Sequence, residues 1–507
     1  MFVHSDACHV INIVIGNTPE LRFCDPILAI DATNKLLTFS THPSILSILL
    51  FYAAAAAEEM VEKLVDVVVF GASGYTGKHV VREILKFADA PGGGQRRIAI
   101  AGRSKAKLTS ALDWALAGKP SPVSVYILEA DVGNPASLAS LCNKTRLLLN
   151  CVGPYRLYGE PVFAACVEAG IDYLDVSGEP DFMERMEFKY GEQAKKQGSL
   201  MVSACGFDCI PAELGVLFNS RQFAAPALPQ TVNSYLVLES KTGIRGNIGT
   251  WESLVLGVAN EADLKKFRKS RPRRARLQIP GVQAQKLDFA HWEKNLGSWA
   301  AVLPAADASV VRRTLATVAE NPQGLICLED AENAEAELVK RKWQEIKPVQ
   351  YGVYIAFKRF IDMIPYFLLG ALLFFFARFK WAAKLLIAYP ELFTLRVFTK
   401  KGPTEEEVKN AHFQMWFFGK GFSNSNIEGQ QLKIPDKQIV TRVCGPEIGY
   451  VTTPIILVQA ALIVLDERKS LPKGGVLTPG AVFGISDLQE RLEKNGITFE
   501  VVSISKV

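Results

Sequence analysis

The feature that most constrains this chain is an apolar run that leads directly into three glycines and then into a helical pattern. The run is Val65–Phe70, and the glycines are Gly71, Gly74 and Gly77. An unbroken run rich in β-branched residues is typical of a parallel strand buried on both faces. Glycines after such a strand allow a tight turn, a close approach of a pyrophosphate to the backbone, and close packing of helix against strand. The segment therefore predicts a dinucleotide site at a helix N-terminus.

The spacing of these glycines is G-x-x-G-x-x-G, which differs from the commoner G-x-G-x-x-G of dinucleotide sites. An ordinary turn between a strand and a helix therefore remains the alternative. The amphipathic pattern after the loop favours the cofactor site, because that site requires a helix start there. The residues predicted to contact the cofactor in this loop are Gly71, Ser73, Gly74, Tyr75, Thr76 and Gly77.

The end of the next predicted strand indicates which dinucleotide binds. The strand covers residues 97–103, and an NAD site usually has an acidic residue at the end of such a strand to bind the ribose 2′-hydroxyl. This chain has Arg103, Ser104 and Lys107 there instead. A guanidinium group can form two charge-assisted hydrogen bonds with a 2′-phosphate. NADP(H) is therefore the predicted cofactor, and a solvated basic start of a helix is the alternative.

Two further apolar runs extend the predicted parallel sheet. Residues 123–130 form a third strand that ends at Asp131, a candidate neighbour of the adenine. Residues 146–152 form a fourth strand, which in a doubly wound fold leads to the nicotinamide side. The candidate contacts at its end are Cys151, Val152, Gly153 and Pro154. The pattern predicts a Rossmann-type α/β domain.

These motifs, in this order, resemble the saccharopine dehydrogenase-like oxidoreductases, and most of all the plant members. The resemblance extends from about Glu62 to the C-terminus. The blocks that carry it are residues 71–77, 101–104, 150–155, 159–162, 173–179, 204–208, 445–450 and 474–480. It implies an α/β fold in which an α+β substrate domain is inserted into a doubly wound parallel sheet, with a C-terminal return to the nucleotide domain. It also implies an NADP-dependent oxidoreductase, although not a saccharopine activity.

The resemblance implies a lipid setting as well. A bacterial branch of the family is a trans-acting enoyl reductase that saturates a double bond during lipid assembly, and animal relatives associate with lipid droplets. The implied reaction is hydride transfer to a lipid-linked enoyl or carbonyl group. Two alternatives remain open: reduction of a small imine derived from an amino acid, and a droplet-surface protein that binds the nucleotide without turnover.

The predicted organisation has four parts. Residues 1–60 are an extension, residues 61–210 the NADP-binding domain, residues 211–445 the substrate and membrane-docking domain, and residues 446–507 a C-terminal segment on the nucleotide domain. The extension has no counterpart in the family. Its two basic residues against four acidic ones before Glu58 do not fit a mitochondrial presequence. Either it is lineage-specific or the protein starts at Met60; we favour the second and expect the extension to be poorly ordered.

Composition gives no support for nucleic-acid binding. The net charge of +5 on 507 residues is small, whereas nucleic-acid-binding domains carry strong basic patches. The nine cysteines show neither a disulfide framework nor a metal-ligand spacing, so we expect reduced thiols and no metal. A homodimer is left open.

Two unusual segments bear on membrane contact. Residues 265–276 carry eight basic side chains, which favours a solvated loop or, as the sharper alternative, a docking patch for anionic headgroups or a coenzyme A phosphate. Residues 363–377 are uncharged but shorter than the ~20 residues of a spanning helix. A buried core helix and an insertion into one leaflet or a droplet surface are the two interpretations, and we favour the second. The predicted location is a membrane, at a lipid droplet or mitochondrion.

The polar residues near the predicted strand ends are candidates for catalysis. A nicotinamide reductase needs a bound hydride donor, a held acceptor and a source of one proton. Tyr155 is predicted to contact the nicotinamide and Asp208 to take part in catalysis. Tyr158, Asp175 and Glu179 are weaker candidates, and the proton donor is left open.

Overall fold

The computed structural model describes two separate units, residues 1–63 and residues 64–507. The described residues are 27–30, 36–39, 63–89, 94–272, 274, 277–281, 283–284, 287–325, 334–424 and 434–506. In the first unit they form one antiparallel pair, β1 (Ile27–Ile30) with β2 (Leu36–Phe39). The prediction that the N-terminal extension is poorly ordered otherwise lies outside the described residues.

The second unit contains a parallel sheet of seven strands, which confirms the predicted fold class. The strands are β3 (Val65–Phe70), β4 (Ile98–Gly102), β5 (Val125–Glu129), β6 (Thr145–Asn150), β7 (Asp172–Asp175), β8 (Leu200–Val202) and β17 (Gly475–Leu477). Their order is β17-β8-β7-β6-β3-β4-β5, and every neighbouring pair is parallel. The first six strands therefore have the order of a doubly wound dinucleotide-binding sheet.

The side chains of the central strand β3 are buried on both faces of the sheet. Val67 and Val69 of β3 belong to one hydrophobic core, whereas Val68 and Phe70 belong to a second core on the other side. The helices that cover the sheet and its carboxyl edge are α1 (Tyr75–Ile84), α2 (Lys105–Leu116), α3 (Pro135–Asn143), α4 (Tyr155–Glu168), α5 (Pro180–Gln197) and α6 (Ile210–Arg221). The observed β5 and β6 are shorter than the predicted strands 123–130 and 146–152, because the residues that follow them already form the loops of the edge.

A second sheet of seven strands stands beside the first. It comprises β9 (Leu228–Ser240), β11 (Ala290–Glu293), β12 (Ser298–Val302), β13 (Gln350–Phe357), β15 (Ala411–Phe422), β16 (Lys437–Pro446) and β18 (Thr498–Lys506). The order is β11-β12-β13-β9-β15-β16-β18; β9 and β13 are parallel, and the other neighbours are antiparallel. Helix α6 packs on one face, where the amide of Asn219 donates to Phe417 O and Ile439 O at 3.3 and 3.1 Å.

A layer of helices accompanies the second sheet. These helices are α7 (Ile248–Ala259), α8 (Glu261–Ser270), α9 (Asp307–Glu320), α10 (Ala334–Gln344), α11 (Ile364–Phe376), α12 (Lys380–Ala388), α13 (Pro390–Phe393) and α14 (Glu405–Lys409). A short parallel pair, β10 (Gly246–Asn247) with β14 (Phe398–Thr399), joins two of their loops. Helix α7 contributes Trp251 and Val255 to a separate small hydrophobic core. The same core contains Leu373 of α11, Ala377 at the C-cap of α11, and Leu386 of α12.

The C-terminal segment is divided between the two sheets. Helix α15 (Thr453–Asp466) packs on α1 and on β6 and β7, and β17 adds a strand to the parallel sheet. Two short helices follow, α16 (Pro479–Phe483) and α17 (Leu488–Lys494). The segment is predicted to return to the nucleotide domain, but its last strand, β18, pairs with β16 in the second sheet.

One helix in the described residues is long and apolar enough to cross a membrane, the stretch Ile448–Asp466. It begins with a π-helical turn over Ile448–Thr452 and continues into α15. Most of it, 78%, is buried inside the protein. Burial of this kind is typical of the core helix of a folded domain, not of a helix that faces lipid.

Three arginines of the basic run at 265–276 are bound by carboxylates, which argues against the docking patch, the sharper of the two interpretations of this run. Arg268 and Arg271 both bind the buried carboxylate of Glu184 on α5, the first at 2.5 Å. Arg274 pairs with Glu320 at 2.6 Å. Arg273 and Arg276 lie outside the described residues. The three paired guanidinium groups are therefore engaged within the protein and are not free to bind headgroups.

Candidate functional site

The glycine loop has the geometry that a pyrophosphate requires. Gly71 has a φ of +82°, a conformation that favours glycine. A β-carbon at Gly77 would lie 2.2 Å from Gly71 O, so α1 packs against the loop only because residue 77 has no side chain. Gly74 precedes α1 in an extended conformation and no side chain caps the helix. The amide groups of the first turn are therefore open to a phosphate.

The side chain of Tyr75 points away from this loop. Its hydroxyl donates to Pro403 O, and its ring meets that of Tyr450 edge-on with the centroids 4.6 Å apart. Burial raises the pKa of Tyr75 to about 12, so the hydroxyl stays neutral. Of the predicted loop contacts, Tyr75 thus offers the cofactor its backbone N–H group, while the side chain ties α1 to the segment before α14.

The predicted adenosine end of the site is a cavity of about 600 Å³ beside the same loop. It is lined by Ser73, Gly74, Arg103, Ser104 and Lys107. Ser104 also caps α2 by accepting a hydrogen bond from Lys107 N. Since its lining contains two cationic side chains and no carboxylate, the cavity fits a ribose 2′-phosphate and disfavours the bare 2′-hydroxyl of NAD.

Asp131, the predicted neighbour of the adenine, organises the turn between β5 and α3. Its carboxylate accepts a hydrogen bond from Gly133 N at 2.9 Å, and its carbonyl oxygen accepts one from the hydroxyl of Ser137. The side chain is exposed at the carboxyl edge of the sheet. Its position is compatible with contact to the base, while the hydrogen bonds give it a structural role as well.

The predicted nicotinamide contacts, Cys151–Pro154, form the loop between β6 and α4, here called the nicotinamide loop. Both ends of this loop are fixed: Val152 N donates to the side chain of Asn150, and α4 is capped by Glu179. The carboxylate of Glu179 accepts from Tyr155 N at 2.8 Å and from Arg156 N at 2.9 Å. Burial raises the pKa of the Cys151 thiol to about 12, so this cysteine is neutral at physiological pH and is not a nucleophile.

The hydroxyl group of Tyr155, the residue predicted to contact the nicotinamide, is engaged within the protein. The ring is buried, and the hydroxyl donates to Asn150 O at 2.7 Å and accepts from Val176 N at 3.3 Å. Both hydrogen-bonding functions of the hydroxyl are therefore used to join the ends of β6 and β7. We assign Tyr155 to positioning these strand ends and not to direct contact with an acceptor.

Asp175 is also saturated by hydrogen bonds. It accepts from the hydroxyl groups of Tyr173 and Ser203 and from the amides of Ser177 and Ala204, all at 2.8–2.9 Å. Burial raises the pKa of its carboxyl to about 6. Every one of these partners lies at the end of β7 or β8. Asp175 therefore holds the ends of these two strands together at the carboxyl edge of the sheet.

Of Tyr155 and Asp208, the two residues predicted for the nicotinamide contact and for catalysis, only Asp208 has an exposed side chain; the weaker candidate Tyr158 is also exposed, at 43%. Asp208 lies between β8 and α6, and a β-carbon at Gly178 would stand 2.5 Å from its Oδ2. The side chain is exposed to water, yet surrounding protein raises the pKa of the carboxyl by desolvation.

Sequence reasoning missed two buried carboxyl groups beside Asp208. Glu213 lies in the first turn of α6 and accepts hydrogen bonds from the Thr314 hydroxyl and from Gly480 N. Burial raises the pKa of Glu213 to about 7. Asp307 is the first residue of α9. No local signal distinguishes either from an ordinary acidic residue in the first turn of a helix, where such residues are common.

The apolar segment at 363–377 is largely exposed. Within α11 only Leu373 is buried, and it packs on α7; Leu368 and Phe375 are 66% and 63% exposed. The interpretation as a buried core helix is therefore wrong for this helix. Exposed aromatic and aliphatic side chains continue along the chain on Phe379, Trp381, Tyr389, Leu392 and Leu395.

Comparisons with known proteins agree on one family. Residues 67–202 match the model of the saccharopine dehydrogenase NADP-binding domain. A probable mitochondrial saccharopine dehydrogenase-like oxidoreductase of Arabidopsis thaliana is 51% identical over 445 residues, which cover 87% of this chain and 97% of that one. A lipid droplet localized protein of Caenorhabditis elegans is 32% identical over 448 residues, 86% of this chain and 98% of that one. A putative trans-acting enoyl reductase of Mycobacterium tuberculosis is 35% identical over 205 residues, 40% of this chain and 46% of that one.

Proposed function

The chain belongs to the saccharopine dehydrogenase-like oxidoreductases, with NADP(H) as cofactor, and we propose that it reduces a lipid-linked acceptor at a membrane or lipid-droplet surface. The acceptor is an enoyl or carbonyl group. The observation that carries this proposal is the exposed apolar surface of α11 to α13, in the same unit as the NADP site. A reductase of small polar imines needs no such surface.

The apolar surface, as we call it, is made of large side chains that are all more than half exposed. Its members are Phe360, Ile361, Leu368, Phe375, Phe379, Trp381, Tyr389, Leu392 and Leu395. Soluble monomers seldom expose contiguous apolar patches larger than a few hundred Å². Full burial of one such side chain is worth about 1.5–3 kcal/mol, so shallow insertion of several of them gives several kcal/mol of binding free energy.

Basic side chains frame the apolar surface. Arg378 stacks on Phe374 with its guanidinium carbon 3.9 Å from the ring centroid, and Lys380 and Lys384 lie on the exposed side of α12. Such residues bury their aliphatic stems while the charged ends stay among headgroups. An anionic lipid surface therefore matches this side of the protein both in polarity and in charge.

Two relatives support the lipid setting. One is a lipid droplet localized protein, and another is a putative enoyl reductase. The plant relative is a probable mitochondrial protein, so the proposed surface is that of a droplet or of a mitochondrial membrane.

Flotation of the full chain with liposomes tests the docking step. We expect binding to vesicles of phosphatidylcholine with phosphatidylserine, and about tenfold weaker binding after Phe375→Ser, because about 1–2 kcal/mol of apolar transfer is lost. Phe188→Ser is the matched control, since Phe188 is also 63% exposed but lies on α5, outside the apolar surface. Equal loss in both variants, or no binding by the native chain, would count against the docking surface.

Turnover tests the reductase itself. The full chain with NADPH is offered neutral enoyl thioesters, ketones and imines in liposomes and in solution, and NADPH absorbance is followed. We expect oxidation with the lipid-like enoyl or carbonyl acceptors. If NADPH binds but no acceptor of any class is reduced, the protein is a nucleotide-binding surface protein without turnover.

A further inference from the structure

Helix α7 lies between the apolar surface and the loops of the cofactor site. Its buried side chains, Trp251 and Val255, pack with α11 and α12 in the small hydrophobic core. Trp251 also stacks on Phe398 of β14, with the ring centroids 5.7 Å apart. We call α7, α11, α12, α13 and β14 the small-core layer. Among the residues that the structure describes, this core shares no buried side chain with the two cores that cover the parallel sheet.

The second turn of α7 holds the end of the nicotinamide loop. The hydroxyl of Ser253 donates to Glu179 Oε1 at 2.9 Å. The same carboxylate accepts from Tyr155 N and Arg156 N at 2.8 and 2.9 Å, and Glu179 is only 8% exposed. Hydrogen bonds to a charged acceptor are strong when the surroundings exclude water. A displacement of α7 therefore removes one of the donors that fix Glu179, and with it the start of α4.

The first residue before α7 is joined to the helix that follows the glycine loop. Asn247 N donates to the hydroxyl of Tyr450 at 2.7 Å. The ring of Tyr450 meets that of Tyr75 edge-on, with the centroids 4.6 Å apart. Tyr75 is the first residue of α1 and directly follows Gly74. The start of α7 is thus two side chains away from the amide groups that face a pyrophosphate.

The segment after β14 reaches the same tyrosine. Gly402 has a φ of +73°, and a β-carbon there would lie 2.6 Å from the ring of Tyr75. The hydroxyl of Tyr75 donates to the next carbonyl group, Pro403 O. Phe398, four positions before Gly402, packs against the small core. A short stretch of backbone therefore joins this core to the start of α1.

Hydrogen bonds and ring contacts, in place of a shared apolar core, thus join the small-core layer to both loops of the cofactor site. Parts of a protein that are joined in this way open at a lower free energy than parts that share a core. A ligand that orders one part then lowers the cost of ordering the other. A lipid surface that covers α11 and α12 orders α7 as well, because Trp251 is buried between them.

We propose that α7 couples the apolar surface to the cofactor site, so that docking on a lipid surface tightens NADPH binding and NADPH strengthens docking. This inference rests on the proposed docking function. Ser253 and Tyr75 are positioning residues: Ser253 acts through Glu179 on the nicotinamide loop, and Tyr75 acts on the start of α1. The two effects are equal in size, because coupling between two binding sites is reciprocal. The protein thus binds its reductant most tightly where a lipid acceptor is present.

Titration of the full chain with NADPH, with and without vesicles of phosphatidylcholine and phosphatidylserine, measures the coupling. We expect the vesicles to lower the Kd for NADPH about fivefold or more, and saturating NADPH to lower the vesicle concentration needed for flotation by the same factor. Ser253→Ala and Tyr75→Phe are expected to lose most of this difference, whereas Ser253→Thr keeps the hydroxyl and retains it.

Thr250→Ala is the matched control, because Thr250 is an exposed residue of the same helix, and we expect it to keep the full difference. An unchanged difference in Ser253→Ala or Tyr75→Phe overturns the role of the residue replaced. Equal Kd values with and without vesicles, for a native chain that floats with them, overturn the coupling itself.

Amide hydrogen exchange without any lipid separates this inference from the proposed function. Saturating NADPH is expected to slow exchange in α11 and α12 of the native chain, and Ser253→Ala is expected to lose this protection while Thr250→Ala keeps it. Exchange in these helices that does not respond to NADPH overturns the coupling. If the native chain binds no vesicles, the proposed docking fails, and the exchange result alone decides whether α7 links these helices to the cofactor site.

Discussion

Replacement of Arg103 is the sharpest test of the cofactor site. The side chain is exposed and lines the 600 Å³ cavity together with Lys107 and Ser104. A hydrogen bond between charged partners is worth about 1.5–3 kcal/mol, and solvent at an exposed site reduces this toward the lower value. Since 1.4 kcal/mol corresponds to a factor of ten, Arg103→Ala should weaken NADPH binding about 10- to 30-fold. NADH lacks the 2′-phosphate, so its affinity should stay unchanged.

Calorimetric titration of the full chain with NADPH and NADH measures both affinities. Arg103→Lys keeps the positive charge but cannot form the bidentate hydrogen bonds of a guanidinium group, so we expect an intermediate loss of NADPH affinity. Lys105→Ala is the matched control, because it removes a neighbouring positive charge from α2 without changing the cavity lining. Equal losses for NADPH and NADH would show that Arg103 acts through folding. Unchanged NADPH affinity would refute the placement of the 2′-phosphate.

Three further predictions concern the framework around the site. Gly77→Ala places a methyl group 2.2 Å from Gly71 O, so we expect about tenfold weaker NADPH binding with the fold retained by circular dichroism; unchanged affinity would refute the tight loop. Burial raises the pKa of Glu213 from 4.5 to about 7, so the folded state keeps a proton that the unfolded state loses above pH 4.5. This group should therefore lower native stability by up to about 3 kcal/mol between pH 4.5 and 7, a contribution that Glu213→Gln removes from the pH slope in denaturation curves; equal slopes for the native chain and the variant would contradict this. Trp251→Ala should destabilise by about 3–5 kcal/mol because the indole is fully buried and donates to Leu386 O, and a loss below about 1 kcal/mol would contradict the small core.

The parallel sheet and its cofactor could be predicted because their signals are local in sequence. The run Val65–Phe70 is buried on both faces, which leaves no polar position in its second half. Gly77 and Arg103 each follow a strand at the distance that the chemistry of the dinucleotide requires. For such elements, the residue types within a stretch of about ten positions are enough to explain why the strand or turn forms.

Contacts between distant segments could not be predicted in this way. Tyr75 donates to Pro403, which is 328 positions away, and nothing near Tyr75 indicates that its side chain leaves the cofactor loop. The last strand, β18, pairs with β16, and this pairing depends on which sheet edge is free. Asp307 is likewise buried only because α9 packs against α6, which is distant in the sequence. A sequence pattern predicts the element, whereas its partner is set by the packing of the whole chain.

Helix α7 contacts both α12, which carries part of the apolar surface, and Glu179, which holds the start of α4 beside the nicotinamide loop. The indole of Trp251 donates to Leu386 O on α12, while the hydroxyl of Ser253 donates at 2.9 Å to Glu179, the residue that caps α4 behind the nicotinamide loop. Two positions on a helix differ by about 200°, so these side chains leave α7 on opposite sides. The two regions are therefore separated by about one helix diameter, roughly 10–12 Å. Under the proposed function, a lipid anchored at the apolar surface would reach the site only if its reducible group lies within a comparable distance of that surface, which favours a group near the headgroup end of the acyl chain.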